Sequence, residues 1–225
     1  MSLGIRSYPR RVLHGEILSV NLGVVTTLPG VRGRTAIDKH PARHIDVRDP
    51  GPKKGGLGSG VVDDGIGSRK HHGGYAQAVY AYALEDYDWW AAQLGRSLGP
   101  GLFGENLTTR GLDLTNALIG EEWAIGPVVL RVEVPRIPCA TFAARMGEKQ
   151  WVRRFTEAGR TGAYLSVQAP GRITAGDVVT VSRPSHDITL LDAFRAVTGD
   201  REQARRVLDA QVLYPSEHEY LAARA

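Results

Sequence analysis

Glycine and proline, 27 and 12 of the 225 residues, cut the first 180 positions into short apolar runs. Proline removes a backbone donor and fixes φ, and glycine accepts turn conformations closed to other residues, so runs bounded by them end in turns. Glu16-Ile17-Leu18-Ser19-Val20 and Val128-Val129-Leu130-Arg131-Val132-Glu133-Val134 have strand length and β-branched content. Ala163-Tyr164-Leu165-Ser166-Val167 follows the polar turn Arg160-Thr161-Gly162, and Asp177-Val178-Val179-Thr180-Val181 alternates after Ala175-Gly176. This pattern predicts a mainly β chain whose strands close into a barrel or a strongly curved sheet. Residues 49–60, where Pro50, Gly51 and Pro52 precede further glycines and lysines, predict an exposed, mobile loop.

Helical spacing enters in two places. Between Ala76 and Leu94, residues Val79, Ala83, Tyr87, Trp90 and Leu94 recur on one face and Gly95 stands at a C-cap position, which predicts one long helix packed on the barrel with its aromatics in the core. After Pro184, three N-cap signals (Thr189 with Asp192, Asp200 with Gln203, Ser216 with Glu219) predict three short helices. The expected organisation is a barrel domain over 1–184 and a small helical appendage over 185–225, serving packing or dimer contact.

Composition excludes several classes. No run approaches the roughly 18 apolar residues of a membrane span. Met1 to Arg11 holds three arginines without the continuous apolar stretch of a secretory signal, and one cysteine cannot form an internal bridge, so a cytoplasmic location is expected. The net charge of +4 is uneven: residues 1–72 carry 12 of the 28 Lys/Arg and 6 of the 24 Asp/Glu, leaving 16 against 18 beyond, and five of the seven histidines also lie in that first third. No basic helix, zinc-finger spacing or aromatic RNA-binding motif accompanies this charge, which points to a small phosphorylated ligand rather than nucleic acid.

The residues able to do chemistry form four groups. Cys139 lies in Val134-Pro135-Arg136-Ile137-Pro138-Cys139, where two prolines fix its approach and Arg136 sits three residues earlier. A pre-oriented thiol beside a cation suits a nucleophile or a soft metal ligand, while a lone cysteine also serves as a small buried hydrophobe. Arg69-Lys70-His71-His72-Gly73-Gly74, just before the predicted helix, gathers cations and backbone N–H groups as an anion site would; the paired histidines allow zinc, and a plain turn is the alternative. Gly104-Glu105-Asn106-Leu107-Thr108-Thr109 supplies a carboxylate, an amide and hydroxyls that either tie loops together or face a polar heterocycle. Arg160 either joins that surface or closes an ion pair. One cysteine excludes an iron–sulfur cluster.

In order, these strings resemble the MOSC domain, named for the C-terminal domain of molybdenum-cofactor sulfurases. The resemblance runs over about residues 15–183, through His71-His72-Gly73-Gly74, Gln77-Ala78-Val79-Tyr80, Gly104-Glu105-Asn106-Leu107-Thr108-Thr109-Arg110-Gly111-Leu112, Ile119-Gly120-Glu121, Pro135-Arg136-Ile137-Pro138-Cys139, Gly159-Arg160-Thr161-Gly162-Ala163-Tyr164 and Gly176-Asp177. The tail is similar to the three-helix extension of stand-alone bacterial members.

The resemblance implies a β-barrel that binds molybdenum cofactor, a pterin dithiolene with a phosphate, and a reaction that removes oxygen from small N-hydroxylated substrates using electrons from a separate reductase protein. Other relatives imply a sulfur carrier with a persulfide on the motif cysteine, or a module that holds cofactor without turnover. Carried over, Cys139 would be the molybdenum ligand with Arg136 favouring its ionised form. Arg69, Lys70, His71, His72 and Gly73 would face the phosphate; Glu105, Asn106, Thr108 and Arg160 would line the pterin or substrate side. A cysteine hydrolase with His71 or His72 as base lacks a third orienting residue. The chain departs from the family pattern twice. Gly67-Ser68-Arg69 lacks the usual acidic residue, leaving that role to Asp63 or Asp64 if either reaches in, and Ala140-Thr141-Phe142 after the cysteine implies a remodelled access channel.

Overall fold

The structure is a computed structural model and describes residues 13–31, 33–68, 70 and 72–225. Its strands are β1 (Leu13–Gly23), β2 (Thr26–Thr27), β3 (Arg34–Thr35), β4 (Lys39–Ala42), β5 (His44–Val47), β6 (Val79–Ala83), β7 (Leu107–Arg110), β8 (Glu122–Ile125), β9 (Val128–Pro135), β10 (Ala163–Ala169), β11 (Gly171–Thr174) and β12 (Val178–Ser182). Its helices are α1 (Leu84–Leu94), α2 (Ala140–Met146), α3 (Trp151–Ala158), α4 (Leu190–Val197), α5 (Arg201–Ala210) and α6 (Pro215–Ala222).

Seven strands close a barrel in the order β12-β8-β9-β10-β6-β7-β1, sealed by β1 pairing back onto β12. Every pairing in the ring is antiparallel except β6 with β7. At 11 residues β1 is long enough to serve three partners in succession: β12 along Leu13–Glu16, β7 along Glu16–Val20 and β4 along Val20–Gly23. A register shift between Ile17 and Ser19 bends it around the ring. The predicted barrel and its four sequence-read strands are therefore present. None of the helices among the described residues is long and apolar enough to cross a membrane.

The predicted long helix over 76–94 is half strand. Residues Tyr75–Gln77 form one 3-10 turn, Val79–Ala83 is β6, and only Leu84–Leu94 is helical, ending on Gly95 at φ 63° as expected. All five residues of β6 are buried. Val79, Ala81 and Ala83 join the barrel core, whereas Tyr80 and Tyr82 enter an aromatic cluster with Tyr87, Trp90, Phe103, Phe142, Trp151 and Phe155. Alternation between small and large apolar residues is invisible to a polar/apolar reading when both faces are covered, and a strand running straight into a helix leaves no turn signal.

The helical tail is joined to the barrel rather than merely tethered to it. Leu190, Ala193, Ala196, Ala204, Val207 and Leu221 belong to the same hydrophobic cluster as Ile17, Trp123 and Leu165, and the Leu190 N–H donates to Ala117 O at 2.9 Å. Two of the three predicted caps are present: Thr189 and Asp192 form a full capping box, and the Asp200 carboxylate accepts from the N–H groups of Glu202 and Gln203. The third helix begins two residues early, at Pro215 with Tyr214 as its N-cap, because proline is pre-set for the first helical position.

Partial burial pushes the Asp192 carboxyl up, but the Thr189 N–H and hydroxyl and the Arg206 guanidinium outweigh this and hold it below its ordinary value. Such a depressed folded-state value contributes stability above the ordinary 3.8 and loses it as pH falls through the depressed value. Thr189→Ala is expected to cost about 1 kcal/mol at neutral pH, lowering Tm by roughly 2–4 °C. The deficit should shrink in acid, where the wild type loses the same carboxylate; a deficit independent of pH in thermal melts would reject the capping account.

Candidate functional site

A cleft opens where the start of β4, the segment 59–67, the turn before β6 and the end of β9 meet. Cys139 lies on its wall, half-buried, at the N-cap of α2 with extended backbone (φ −134°, ψ 170°). The thiol is therefore neither sealed in the core nor fully exposed. Arg136, Thr141 and Tyr164 flank it.

Arg136 is only 6% exposed. Its guanidinium donates to Phe103 O and lies over the Phe142 ring at 4.1 Å and the Tyr80 ring at 5.0 Å. Burial works against its charge, but the Tyr164 and Tyr80 hydroxyls and the Cys139 thiol outweigh burial and hold the guanidinium above its ordinary pKa. A permanent cation is thus fixed beside the thiol. Phe142, two positions past the Cys139–Ala140 bond, turns away from the cleft into the aromatic cluster under Arg136, and Thr141 takes the cleft-facing place.

The other walls carry His72, Gly73, Gln77 and Tyr80 on one side, and Lys39, Ser59 and Asp64 on another. Of the expected anion-binding string, His72 and Gly73 line the cleft, Lys70 is exposed beside it in sequence, and Arg69 and His71 lie outside the described residues. No helix begins here, so the helix-terminus part of that expectation fails: the string runs into the 3-10 turn. Backbone geometry does the shaping. Gly73 and Gly74 have φ of 86° and 82°, and a Cβ on either would meet Gly58 O at 2.6 Å or the Lys53 backbone at 2.7 Å. The loop expected over 49–60 is exposed through Lys53–Lys54, yet Gly58, Ser59 and Gly60 are buried and pinned, with the Gly74 N–H donating to Gly58 O at 2.9 Å.

Asn106 alone of the four residues expected on the pterin side lines the cleft. Its Oδ1 accepts from the Tyr80 N–H, and its Nδ2 donates to Asn21 O and to Asp64. Glu105 is fully buried, accepting from the Gly101 N–H (2.6 Å), the Tyr87 hydroxyl (2.8 Å) and the Thr108 hydroxyl (2.8 Å). Burial pushes its carboxyl up. Thr108 is spent between Glu105 and Asn21. Arg160 pairs with Asp86 at 2.5 Å and lies over Trp89 at 4.7 Å, while its backbone oxygen accepts from Tyr82. Glu105, Thr108 and Arg160 tie loops and helices together, the alternative their sequence left open.

Asp64 does reach in, whereas Asp63 is exposed at φ 65°. Asp64 accepts from the Gly23 N–H (2.9 Å), Ser59 (3.2 Å), Asn106 (3.1 Å) and the buried Lys39 ammonium, so it anchors the floor. The sequence assigns no role to Lys39, Tyr80 or Tyr164: the tyrosines sit in apolar strand runs that read as core, and Lys39 lies in a polar string without a motif of its own. Among the described residues no three His, Cys, Asp or Glu side chains converge as a metal cage would require. The donor set fits a metal whose other ligands come from its own cofactor: one soft thiol, a fixed cation, a backbone cradle, and a buried Gln77 Oε1 without a partner among the described residues.

The family model for the MOSC domain matches residues 68–180. YflK of Bacillus subtilis is 35% identical over 163 residues, covering 72% of this chain and 70% of that protein. YiiM of Escherichia coli is 31% identical over 165 residues, covering 70% and 73%. The crystal structure of YiiM from Geobacillus stearothermophilus has the same fold, with a TM-score of 0.72 at 24% identity over 93% of this chain and 98% of that one. A sequence match of this extent, carried on a closed barrel of the same fold, places the chain in the MOSC domain family.

Proposed function

We propose that the cleft holds molybdenum cofactor with Cys139 as the protein's ligand to the metal, and that the loaded protein reduces N-hydroxylated compounds, including base analogues. The observation that carries this reading is the chain's single cysteine, half-buried on the cleft wall beside the fixed Arg136 cation. Bound there, the cofactor would supply two electrons for cleavage of an N–O bond, received in turn from a separate reductase protein.

The chain's residues do the rest. Arg136 sets a fixed positive charge beside Cys139 on the cleft wall, where an anionic ligand set would gather. Lys70, His72 and the turn at Gly73, together with Arg69 and His71, attract the cofactor phosphate. Tyr164, whose phenol burial pushes up in pKa, stays protonated and offers an O–H to the cleft. Its ring packs tilted against Tyr80, centroids 4.7 Å apart at 33°, giving a flat heterocycle an aromatic wall.

Elemental analysis of protein made in a cofactor-competent host tests the reading. Wild type should retain molybdenum and reduce 6-hydroxylaminopurine with an electron-donor system, and Cys139→Ser should retain at least roughly tenfold less metal. Equal metal in both proteins, or none in the wild type, rejects it. A sulfur-carrier role predicts instead a single added sulfur on Cys139 by mass spectrometry after exposure to a cysteine desulfurase.

A further inference from the structure

The polar side chains around the cleft are nearly all committed to one another. Both oxygens of Asp64, both ends of the Asn106 amide and a nitrogen of Arg136 have partners within the protein. Gln77 is an exception of a particular kind. Its Oε1 is buried and finds no hydrogen-bond partner among the described residues, although the side chain lines the cleft. A buried acceptor left unpaired is costly, and such an atom on a side chain that lines a cavity marks the place of a donor that arrives with a ligand.

Gln77 is also firmly held. Its N–H donates to Gly74 O at 3.0 Å, closing the 3-10 turn. Tyr75, at the start of that turn, stacks on Tyr214 of the tail at 4.7 Å, and its hydroxyl accepts from Gln168 at 2.7 Å. The carboxamide is therefore presented from a clamped support, beside the aromatic wall of Tyr80 and Tyr164.

We infer that Gln77 is a specificity residue that reads the edge of a flat heteroaromatic ligand, its Oε1 accepting from an exocyclic amino group and its Nε2 donating to the adjacent ring nitrogen. An anion is the wrong partner for a carbonyl oxygen, and a purely apolar ring would leave the acceptor unpaired. An amide pairs in two places with an amino group next to a ring nitrogen, the pattern glutamine uses on adenine. This inference rests on the cleft being the ligand site. The edge it describes occurs on two ligands of the proposed function, the pterin of the cofactor and a purine-type substrate.

Two arms separate them. In the first, isothermal titration of purified protein with adenine and with unsubstituted purine should show a wild-type preference for adenine of about tenfold, lost in Gln77→Leu. Because the readout is a ratio within one folded protein, a general weakening does not imitate it. In the second, molybdenum and pterin content after expression in a cofactor-competent host should fall about tenfold in Gln77→Leu if the cofactor supplies the edge. Loss in either arm supports the inference and names the ligand. A wild type with no adenine preference and a variant with unchanged cofactor content together overturn it. A wild type that holds no molybdenum but shows Gln77-dependent adenine preference rejects the proposed redox function and leaves this inference standing.

Discussion

Asp64→Ala is expected to destabilise the protein by about 3–5 kcal/mol, because it strands a buried ammonium. Lys39 and Asp64 face each other with side chains 7% and 4% exposed. Burial pushes the Lys39 ammonium down from its ordinary value, and the Asp64 carboxylate pulls the other way. Without the carboxylate, the main offset to the desolvation of the lysine is lost and only the more weakly acting Glu105 remains. The Gly23 N–H, Ser59 and Asn106 lose an acceptor in the same step. The double variant Lys39→Met with Asp64→Leu should recover most of the loss, since replacing both charges by apolar groups of similar size removes the penalty rather than exposing it. Denaturant unfolding of the three proteins checks the cycle. A single Asp64→Ala variant within 1 kcal/mol of wild type would show that the pair is not the anchor of the cleft floor.

Glu105→Ala is the second large effect, at roughly 3 kcal/mol or more, since it leaves the Gly101 N–H and the Tyr87 and Thr108 hydroxyls as buried donors without an acceptor. Tm should fall by at least roughly 6 °C. Glu105→Gln should be far milder, because its amide oxygen can still accept those bonds. The two substitutions also differ in pH dependence. Burial, the main cause, raises the folded-state pKa of Glu105 above its ordinary 4.5. Its contribution is thus fully present below 4.5 and declines as pH rises through the raised value, a slope that Glu105→Gln removes. A Glu105→Ala protein that melts like wild type but retains less molybdenum than wild type from a cofactor-competent host would reverse the assignment and make Glu105 a ligand-facing group.

These two residues show where sequence reading stops. Glu105-Asn106 presents two polar side chains in a row just before β7, and extended backbone sends neighbours to opposite sides. Asn106 faces the cleft and Glu105 the interior, a division set by how β7 pairs with β1 and β6. Likewise the Arg160 string was legible as a polar turn, but only packing reveals that its guanidinium is spent on Asp86 and Trp89. Asp64 could be suspected from the missing acidic residue at Ser68. Its four donors come from β1, β4, the 59–67 segment and the residue before β7, and no local pattern lists them.

Local chemistry written into the chain determined the strand runs of β1, β9, β10 and β12, the two capped tail helices, and the proline-framed setting of the lone cysteine, because each depends on residues within a few positions of one another. Tertiary structure alone decided that Val79–Ala83 is a strand, that Phe142, Trp151 and Phe155 form one cluster with Trp90, and that Gln77, Asp64, Arg136 and Cys139 share a cleft. Those outcomes depend on burial of both faces of β6 and on contacts across scores of residues, energies that exist only once the barrel has closed.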